Sequence, residues 1–127
     1  MIDIKIAAAS LNQTPIDWKK NYKNIINSIE DAKSKNVKIL CLPELCISGY
    51  GCQDLFFNDW VIKKSFKILE MIVPICSEIL VVIGLPLKFK NYIYNASCII
   101  KNSKIIGFAL KSNLPNDGVH YEKRWFK

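Results

Sequence analysis

Two charged residues follow apolar segments that are predicted to be strands, and both could take part in chemistry. Glu44 lies just past the end of residues 37–42, and Lys111 comes directly after residues 104–110. In open α/β sheets, ligands gather at the carboxyl ends of the strands. If these two strands lie side by side and parallel, a carboxylate and an ammonium meet at one edge. The alternative is a structural salt bridge or a pair of solvated charges.

Five cysteines are the other reactive candidates. Cys41, Cys76 and Cys98 lie within apolar segments, and the sequence contains no C-x-x-C pair. The single histidine, His120, is distant in sequence from all of them, so neither a zinc site nor a disulfide framework is predicted. We expect reduced thiols, most of which pack as small apolar side chains.

The composition indicates one globular domain. The chain has 127 residues, of which half are hydrophobic, which is enough for a buried core. The net charge is +7, but the basic residues are scattered along the chain, so a nucleic-acid partner is not predicted. No apolar run is long enough to span a bilayer, and the first residues do not resemble a signal peptide. We therefore expect a soluble cytoplasmic protein with no membrane partner.

The elements that would position these side chains alternate between strand and helix. A nearly continuous apolar second strand after a β-α unit indicates an α/β fold and argues against an all-β barrel. The last two strands are joined by Lys-Asn-Ser-Lys, which predicts a hairpin. We predict strands at residues 2–9, 37–42, 79–85, 91–101 and 104–110, and helices from a cap at Thr14 to about Asn36 and from Trp60 to about Val73, with loops elsewhere.

Four separated motifs carry a family resemblance. They are LPELCISGYGCQDLF at residues 42–56, GLP at 84–86, YNASCII at 94–100 and KSNLPNDGVHYEKRWF at 111–126. In this order they resemble the nitrilase superfamily of carbon–nitrogen hydrolases, and within it the glutaminase domains of glutamine-dependent NAD synthetases. The resemblance covers essentially the whole chain. It implies half of a four-layer α-β-β-α sandwich.

The resemblance also implies a Glu–Lys–Cys triad that releases ammonia from glutamine. Glu44 matches the general base and acid, Lys111 matches the lysine that stabilises the oxyanion, and Glu122 matches a supporting second glutamate. Tyr50 matches a substrate-binding aromatic residue. A thiol is a poor nucleophile until a base takes its proton, and a fixed ammonium can stabilise the charge that develops on the amide oxygen.

The nucleophile of that triad has no match in this sequence. The resemblance places it well after Lys111, whereas Cys46 and Cys52 precede the lysine and are poor candidates. Domains of this family run to roughly 250 residues, so we expect residues 1–127 to be a partial domain, truncated before the nucleophile cysteine, with the synthetase domain absent.

The expected partners follow from the same resemblance. They are glutamine, the downstream half of the domain and the synthetase module, in a full-length protein that forms a homo-oligomer. We expect no metal or cofactor in this chain, and we assign ATP and magnesium to the missing synthetase domain, where the ammonia would amidate nicotinate adenine dinucleotide.

Two other interpretations stay open. One is a different branch of the superfamily, such as an ω-amidase or an N-carbamoyl hydrolase, against which the stretch SGYGCQDLF argues. The other is a catalytically inactive remnant or an assembly piece. Half a sandwich would also leave an uncovered apolar face and a free sheet edge, which predicts poor solubility.

Overall fold

The computed structural model of the protein describes residues 3–127, and its centre is a five-stranded sheet with two helices packed on one face. This confirms the predicted α/β fold. The strands are β1 (Ile6–Ala8), β2 (Ile39–Cys41), β3 (Leu80–Phe89), β4 (Tyr92–Lys101) and β5 (Lys104–Leu110), and the helices are α1 (Trp18–Ser34) and α2 (Asp59–Ile72). Short 3-10 segments cover Tyr50–Phe57, Val73–Ile75 and Glu122–Arg124, and β6 (Asn116–Asp117) pairs with β7 (His120–Tyr121).

The strand order decides which chain segments reach the same edge. The order is β1-β2-β3-β4-β5, with β1, β2 and β3 parallel and with β3, β4 and β5 joined as antiparallel neighbours. Consequently β2 and β5 run in the same direction, but β3 and β4 lie between them. The two strands are therefore parallel but not side by side, because each hairpin places its second strand one position further from β2. The predicted hairpin between β4 and β5 is confirmed, with Lys101 paired to Lys104.

The main core lies between the sheet and the helices. On α1, Ile25, Ile29 and Ala32 recur at helical spacing and are buried against the sheet. On α2, Leu69 and Ile72 do the same. The other buried members of the main core are Val37, Leu40, Leu42, Cys46, Ile47, Ile68, Cys76, Ile79, Val81, Ile83, Leu85, Cys98 and Ile100.

The start of α1 differs from the prediction of a cap at Thr14. The Oδ1 atom of Asp17 accepts a hydrogen bond from the Lys20 N–H at 3.1 Å, so Asp17 is the N-cap. Thr14 is held outside the helix because its backbone N–H and C=O both bond to the side chain of Asn21. Ile16 has a φ of 54°, which also interrupts a helical path before Trp18.

Strand boundaries also differ, most of all in β1 and β3. β3 does not stop at Leu85 but continues through Pro86 to Phe89. Since β2 ends at Cys41, opposite Val82, the part of β3 that contains Pro86 has a strand neighbour on one side only, where a missing N–H is tolerated. β1 covers only part of the predicted range 2–9, and residue 2 lies outside the described residues.

The second face of the sheet is open. Ile6 is 70% exposed, and Ile39 and Cys41 on β2 also face solvent, while Leu40 between them is buried in the main core. One helical layer and one sheet layer are thus the half of a four-layer sandwich that the motifs predict. Among residues 3–127, neither helix has the length and apolarity needed to cross a membrane.

Candidate active site

The Glu44 side chain reaches β4, which lies beyond β3, because residues 43–47 cross over β3. The Ile47 N–H donates to the carbonyl oxygen of Gly84 at 3.2 Å. A Cβ atom on Gly84 would lie 2.7 Å from the Pro43 oxygen and 2.9 Å from the Glu44 carbonyl carbon, and it would also overlap the Leu45 nitrogen. Only a residue without a side chain permits this crossing, so the glycine of the GLP motif is what lets Glu44 reach β4.

Lys111 occupies the end of β5 and lies next to Glu44. Its backbone N–H donates to the Asn95 carbonyl on β4 at 2.9 Å. Its Nζ atom donates to Glu44 Oε1 at 2.6 Å and to Glu122 Oε1 at 2.9 Å. The side chains of Lys111 and Glu44 are 32% and 42% exposed, so this ammonium–carboxylate pair remains open to a small molecule.

Glu122 is the buried member of the group that it forms with Glu44 and Lys111. Its side chain is only 2% exposed, and Tyr50 donates its hydroxyl to Glu122 Oε1 at 2.7 Å. The ring of His120 lies beside Tyr50, with Nδ1 3.5 Å from the phenol oxygen. The structure thus brings together all four of the predicted site residues. Their roles stay predictions.

Asn95 joins the two carboxylates, and the sequence analysis gave it no role. Its Nδ2 atom donates to Glu44 Oε1 at 2.5 Å and lies 3.4 Å from Glu122 Oε2. The residue is buried, and its carbonyl holds the Lys111 backbone. A polar residue inside the apolar strand motif YNASCII was the signal that could have identified it, because buried polar groups require partners.

The cluster has a defined charge state near neutral pH. Burial would lower the pKa of the Lys111 ammonium, but its hydrogen bonds to Glu44 and Glu122 outweigh this and raise it. Burial would raise the pKa of the Glu122 carboxyl, but the Tyr50 and Lys111 donors hold it below its usual value. Desolvation and the neighbouring Glu122 raise the pKa of the Tyr50 phenol well above its ordinary range. Lys111 is therefore a cation, Glu122 an anion and Tyr50 a neutral donor.

A cavity of about 390 Å³ opens beside the pair on the open side of the sheet. Glu44, Asn95 and Lys111 line it, together with Cys41, Leu42, Ser97, Ala109 and Leu110. A carboxylate that can accept a proton and an ammonium that can stabilise an oxyanion thus face the same space. This combination suits attack on a polarised carbonyl group.

Four of the five cysteines are buried and are therefore poorly suited as nucleophiles in this arrangement. Cys46 is buried, and desolvation raises the pKa of its thiol to about 12. Cys52 is also buried, its thiol pKa is raised, and it contacts backbone oxygens of residues 48 and 49. Cys76 and Cys98 are buried in the main core. Cys41 lines the cavity from β2, which the sequence did not predict.

A small apolar cluster lies under the charged residues. We call it the small cluster, and it consists of Leu45, Cys52, Phe56 and Phe126. The rings of Phe56 and Phe126 are 4.9 Å apart. Leu45 follows Glu44 directly, and Phe126 lies in the segment of Glu122. Burial of the small cluster therefore holds the backbone next to both acidic residues in place.

Comparisons with known proteins identify the family of this chain. The family model for carbon-nitrogen hydrolase matches residues 5–127. The glutamine-dependent NAD(+) synthetase of Homo sapiens is 35% identical over 125 residues, which is 97% of this chain and 18% of that protein. The chain therefore spans about a fifth of the length of the curated relatives it matches.

Solved structures of related proteins have the same fold as this chain. A glutamine-dependent NAD(+) synthetase from Cytophaga hutchinsonii superposes with a TM-score of 0.96 and 51% identity, over 98% of this chain and 21% of that one. An amidase from Nesterenkonia sp. superposes with a TM-score of 0.84 at 18% identity, over 98% of this chain and 47% of that one. The second likeness is at the level of the fold alone.

Proposed function

We propose that this chain, which belongs to the carbon-nitrogen hydrolase family, supplies the base and the oxyanion-stabilising lysine of a site that hydrolyses the side-chain amide of glutamine. The observation that carries the proposal is the contact of Lys111 Nζ with Glu44 Oε1 at 2.6 Å beside an open cavity. The 51% identity to a glutamine-dependent NAD(+) synthetase supports glutamine over other amides.

Each charged group has one task in the proposed reaction. Glu44 takes the proton of a cysteine thiol, and the thiolate attacks the amide carbon. Lys111 stabilises the negative charge that develops on the carbonyl oxygen, an interaction worth about 3 kcal/mol per donor in mutated enzymes. Glu44 then protonates the departing ammonia and later activates the water that cleaves the thioester. Glu122 keeps Lys111 charged and in place, and Tyr50 contributes to the substrate pocket.

The nucleophilic cysteine in this proposal comes from outside residues 1–127. The relatives that the chain matches extend well beyond the matched part, and we propose that the corresponding additional segment carries this cysteine. We propose further that ammonia passes to a synthetase domain that uses ATP and magnesium to amidate nicotinate adenine dinucleotide. No group of three or more metal-ligating side chains occurs within residues 3–127, and no step proposed for this chain requires ATP or a metal. A cytoplasmic location and a homo-oligomeric full-length protein are part of the same proposal.

The proposal is tested on the longest product that the gene encodes. Ammonia release from glutamine is measured for the parent protein and for Glu44→Gln and Lys111→Met. We expect each variant to lose about a hundredfold or more in kcat, since a general base and an oxyanion donor each contribute on this scale. Asp31→Asn, which alters an exposed ion pair on α1, is the control and keeps full activity.

Other results would contradict the proposal in distinct ways. Hydrolysis that survives Glu44→Gln would remove Glu44 as the base. A clear preference for another ω-amide over glutamine would favour the other branch of the family. A folded product without amide hydrolysis would indicate an inactive remnant.

A further inference from the structure

An exposed aspartate connects the two segments that carry Tyr50 and Glu122. Asp54 Oδ1 accepts hydrogen bonds from Arg124 Nε at 2.7 Å and from Trp125 Nε1 at 2.9 Å, and Asp54 Oδ2 accepts one from Arg124 Nη2 at 2.8 Å. The Asp54 and Arg124 side chains are 61% and 54% exposed. The paired geometry is the fork in which a guanidinium recognises a carboxylate most specifically. We call this group the Asp54 clamp.

The two segments joined by the Asp54 clamp are short and irregular. Residues 50–57 form a 3-10 run interrupted at Gly51 and Gln53, and residues 122–124 form a single 3-10 turn. They lie about 70 positions apart in the sequence and touch through side chains. Three contacts join them: Tyr50 with Glu122, the Asp54 clamp, and the rings of Phe56 and Phe126. The distance between Tyr50 and Glu122 therefore depends on side-chain contacts of this kind.

The sequence motifs contain this clamp but the proposed reaction does not use it. Asp54 belongs to the stretch SGYGCQDLF, and Arg124 and Trp125 belong to YEKRWF. These are two of the motifs on which the family resemblance depends. An exposed ion pair contributes little to folding stability, so a stabilising role alone would not explain three converging hydrogen bonds on one carboxylate.

We propose that Asp54 is a positioning residue, which holds the segment of Arg124 and Trp125 so that Glu122 stays in contact with Tyr50 and Lys111. Calling it a positioning residue for amide hydrolysis rests on the function proposed above. Asp54 itself lies outside the contacts among Glu44, Lys111 and Glu122, and it acts through the chain segment that follows Glu122. Its effect should therefore appear in the environment of Glu122.

The experiment follows the Glu122 carboxyl by carbon-13 NMR titration in the longest product that the gene encodes, with the signal assigned by its loss in Glu122→Gln. In the parent chain the pKa of the Glu122 carboxyl is held low by the Tyr50 and Lys111 donors. In Asp54→Asn we expect this midpoint to rise by about half a pH unit or more, because these donors move away. In Asp54→Glu, which can rebuild the fork, we expect a partial return.

A matched control distinguishes this effect from a general change in charge. Asp31 is as exposed as Asp54, at 61%, and pairs with Lys35 at 2.7 Å on the distant helix α1. Asp31→Asn removes the same charge and should leave the Glu122 midpoint unchanged. Urea unfolding of each variant shows whether the chain stays folded. If Asp54→Asn does not fold, Arg124→Lys provides the same measurement, because lysine keeps the charge but cannot form the fork.

The outcomes separate this proposal from the proposed function. A Glu122 midpoint that stays the same in folded Asp54→Asn and Arg124→Lys overturns the positioning role, even if the full product hydrolyses glutamine. An equal shift in Asp31→Asn overturns it too. A specific shift that Asp54→Glu reverses supports the role, whatever substrate the site uses.

Discussion

The main core and the small cluster are both buried and apolar, but they are built from different parts of the chain. The main core takes its side chains from regular helices and strands, where they recur at fixed spacing. The small cluster takes Leu45, Cys52, Phe56 and Phe126 from a crossing segment, a broken 3-10 run and the last residues. The first holds the sheet to its helices, whereas the second supports the charged residues at the end of the sheet.

The main core therefore mainly determines the stability of the fold, and the residues around the small cluster mainly determine the geometry of the site. In the main core, apolar area removed from water supplies the free energy that holds the fold. Around the small cluster, much of the local order comes from hydrogen bonds to Glu122 and from close approach at Gly84. Substitutions in the first region should lower the free energy of unfolding, while substitutions in the second should change how the charged side chains meet.

The largest expected effect is in the main core. Leu69 on α2 is fully buried, and Leu69→Ala removes packed side-chain volume that the sheet and helices cannot refill. We expect a loss of about 2–5 kcal/mol in the free energy of unfolding, measured by urea titration. The Glu122 carboxyl midpoint in the folded fraction should stay at its parent value, and a shift there would mean that the two regions are not separable.

The crossing at Gly84 connects the two regions, so its substitution should affect both. Gly84→Ala places a Cβ atom against the backbone of residues 43–45, which must move. We expect about 2–3 kcal/mol of destabilisation, within the range seen for overpacked sites, together with loss of the contact between Glu44 and Lys111. A crystal structure of the variant tests the second part. Gly107→Ala is the control, since a Cβ at that position meets no atom within 4 Å.

A substitution at Asn95 tests the charged residues next to the small cluster without changing the main core. Asn95→Ala removes the amide that bonds to Glu44 and lies near Glu122, and it leaves the backbone bond to Lys111 in place. We expect a loss of about 1–2 kcal/mol in unfolding free energy, because hydrogen bonds to charged groups contribute on that scale. NMR spectra should show the largest shifts at Glu44 and Glu122. Shifts confined to β3 and β5 would contradict a linking role.

The smallest expected effect is the pH dependence of the site. The pKa of Glu122 is lowered in the folded chain, so its contribution is complete above the ordinary carboxyl value and is lost as the pH falls through the folded value. The pKa of Lys111 is raised, so its contribution is complete below the ordinary lysine value and is lost as the pH rises through the folded value. The pair therefore stabilises the fold most between about pH 5 and pH 10.

The measurement compares unfolding free energies of the parent chain and Glu122→Gln across this range. Since Lys111 is about a third exposed and screened by solvent, the difference should be no more than about 1 kcal/mol. The extra unfolding free energy of the parent chain over Glu122→Gln should disappear at both ends of the pH range. A difference that is independent of pH would mean that the charge of Glu122 does not stabilise the fold.

The sequence predicted the regular elements well, for a physical reason. Apolar residues that recur every three or four positions report one buried face of a helix, as at Ile25 and Ile29, and this pattern depends on local neighbours. The start of α1 was missed because the preference of Thr14 for a cap was overridden by the side chain of Asn21, which lies seven positions away. The end of β3 was missed because the tolerance for Pro86 depends on where β2 stops.

The sequence by itself determined which residue types are available for chemistry. The acid after β2, the lysine after β5 and the motifs around Tyr50 and Glu122 identify the family and name the candidates without any coordinates. Composition and periodicity also predicted amphipathic helices packed on a sheet, because apolar side chains must leave water.

Only the tertiary structure decided how those candidates meet. β2 and β5 are separated by two strands, and Glu44 reaches Lys111 only because residues 43–47 cross at Gly84. The linking position of Asn95 and the fork at Asp54 likewise join residues 27 to 71 positions apart. Contacts over such separations depend on strand order and on the close packing of backbone against backbone, which local sequence patterns do not specify.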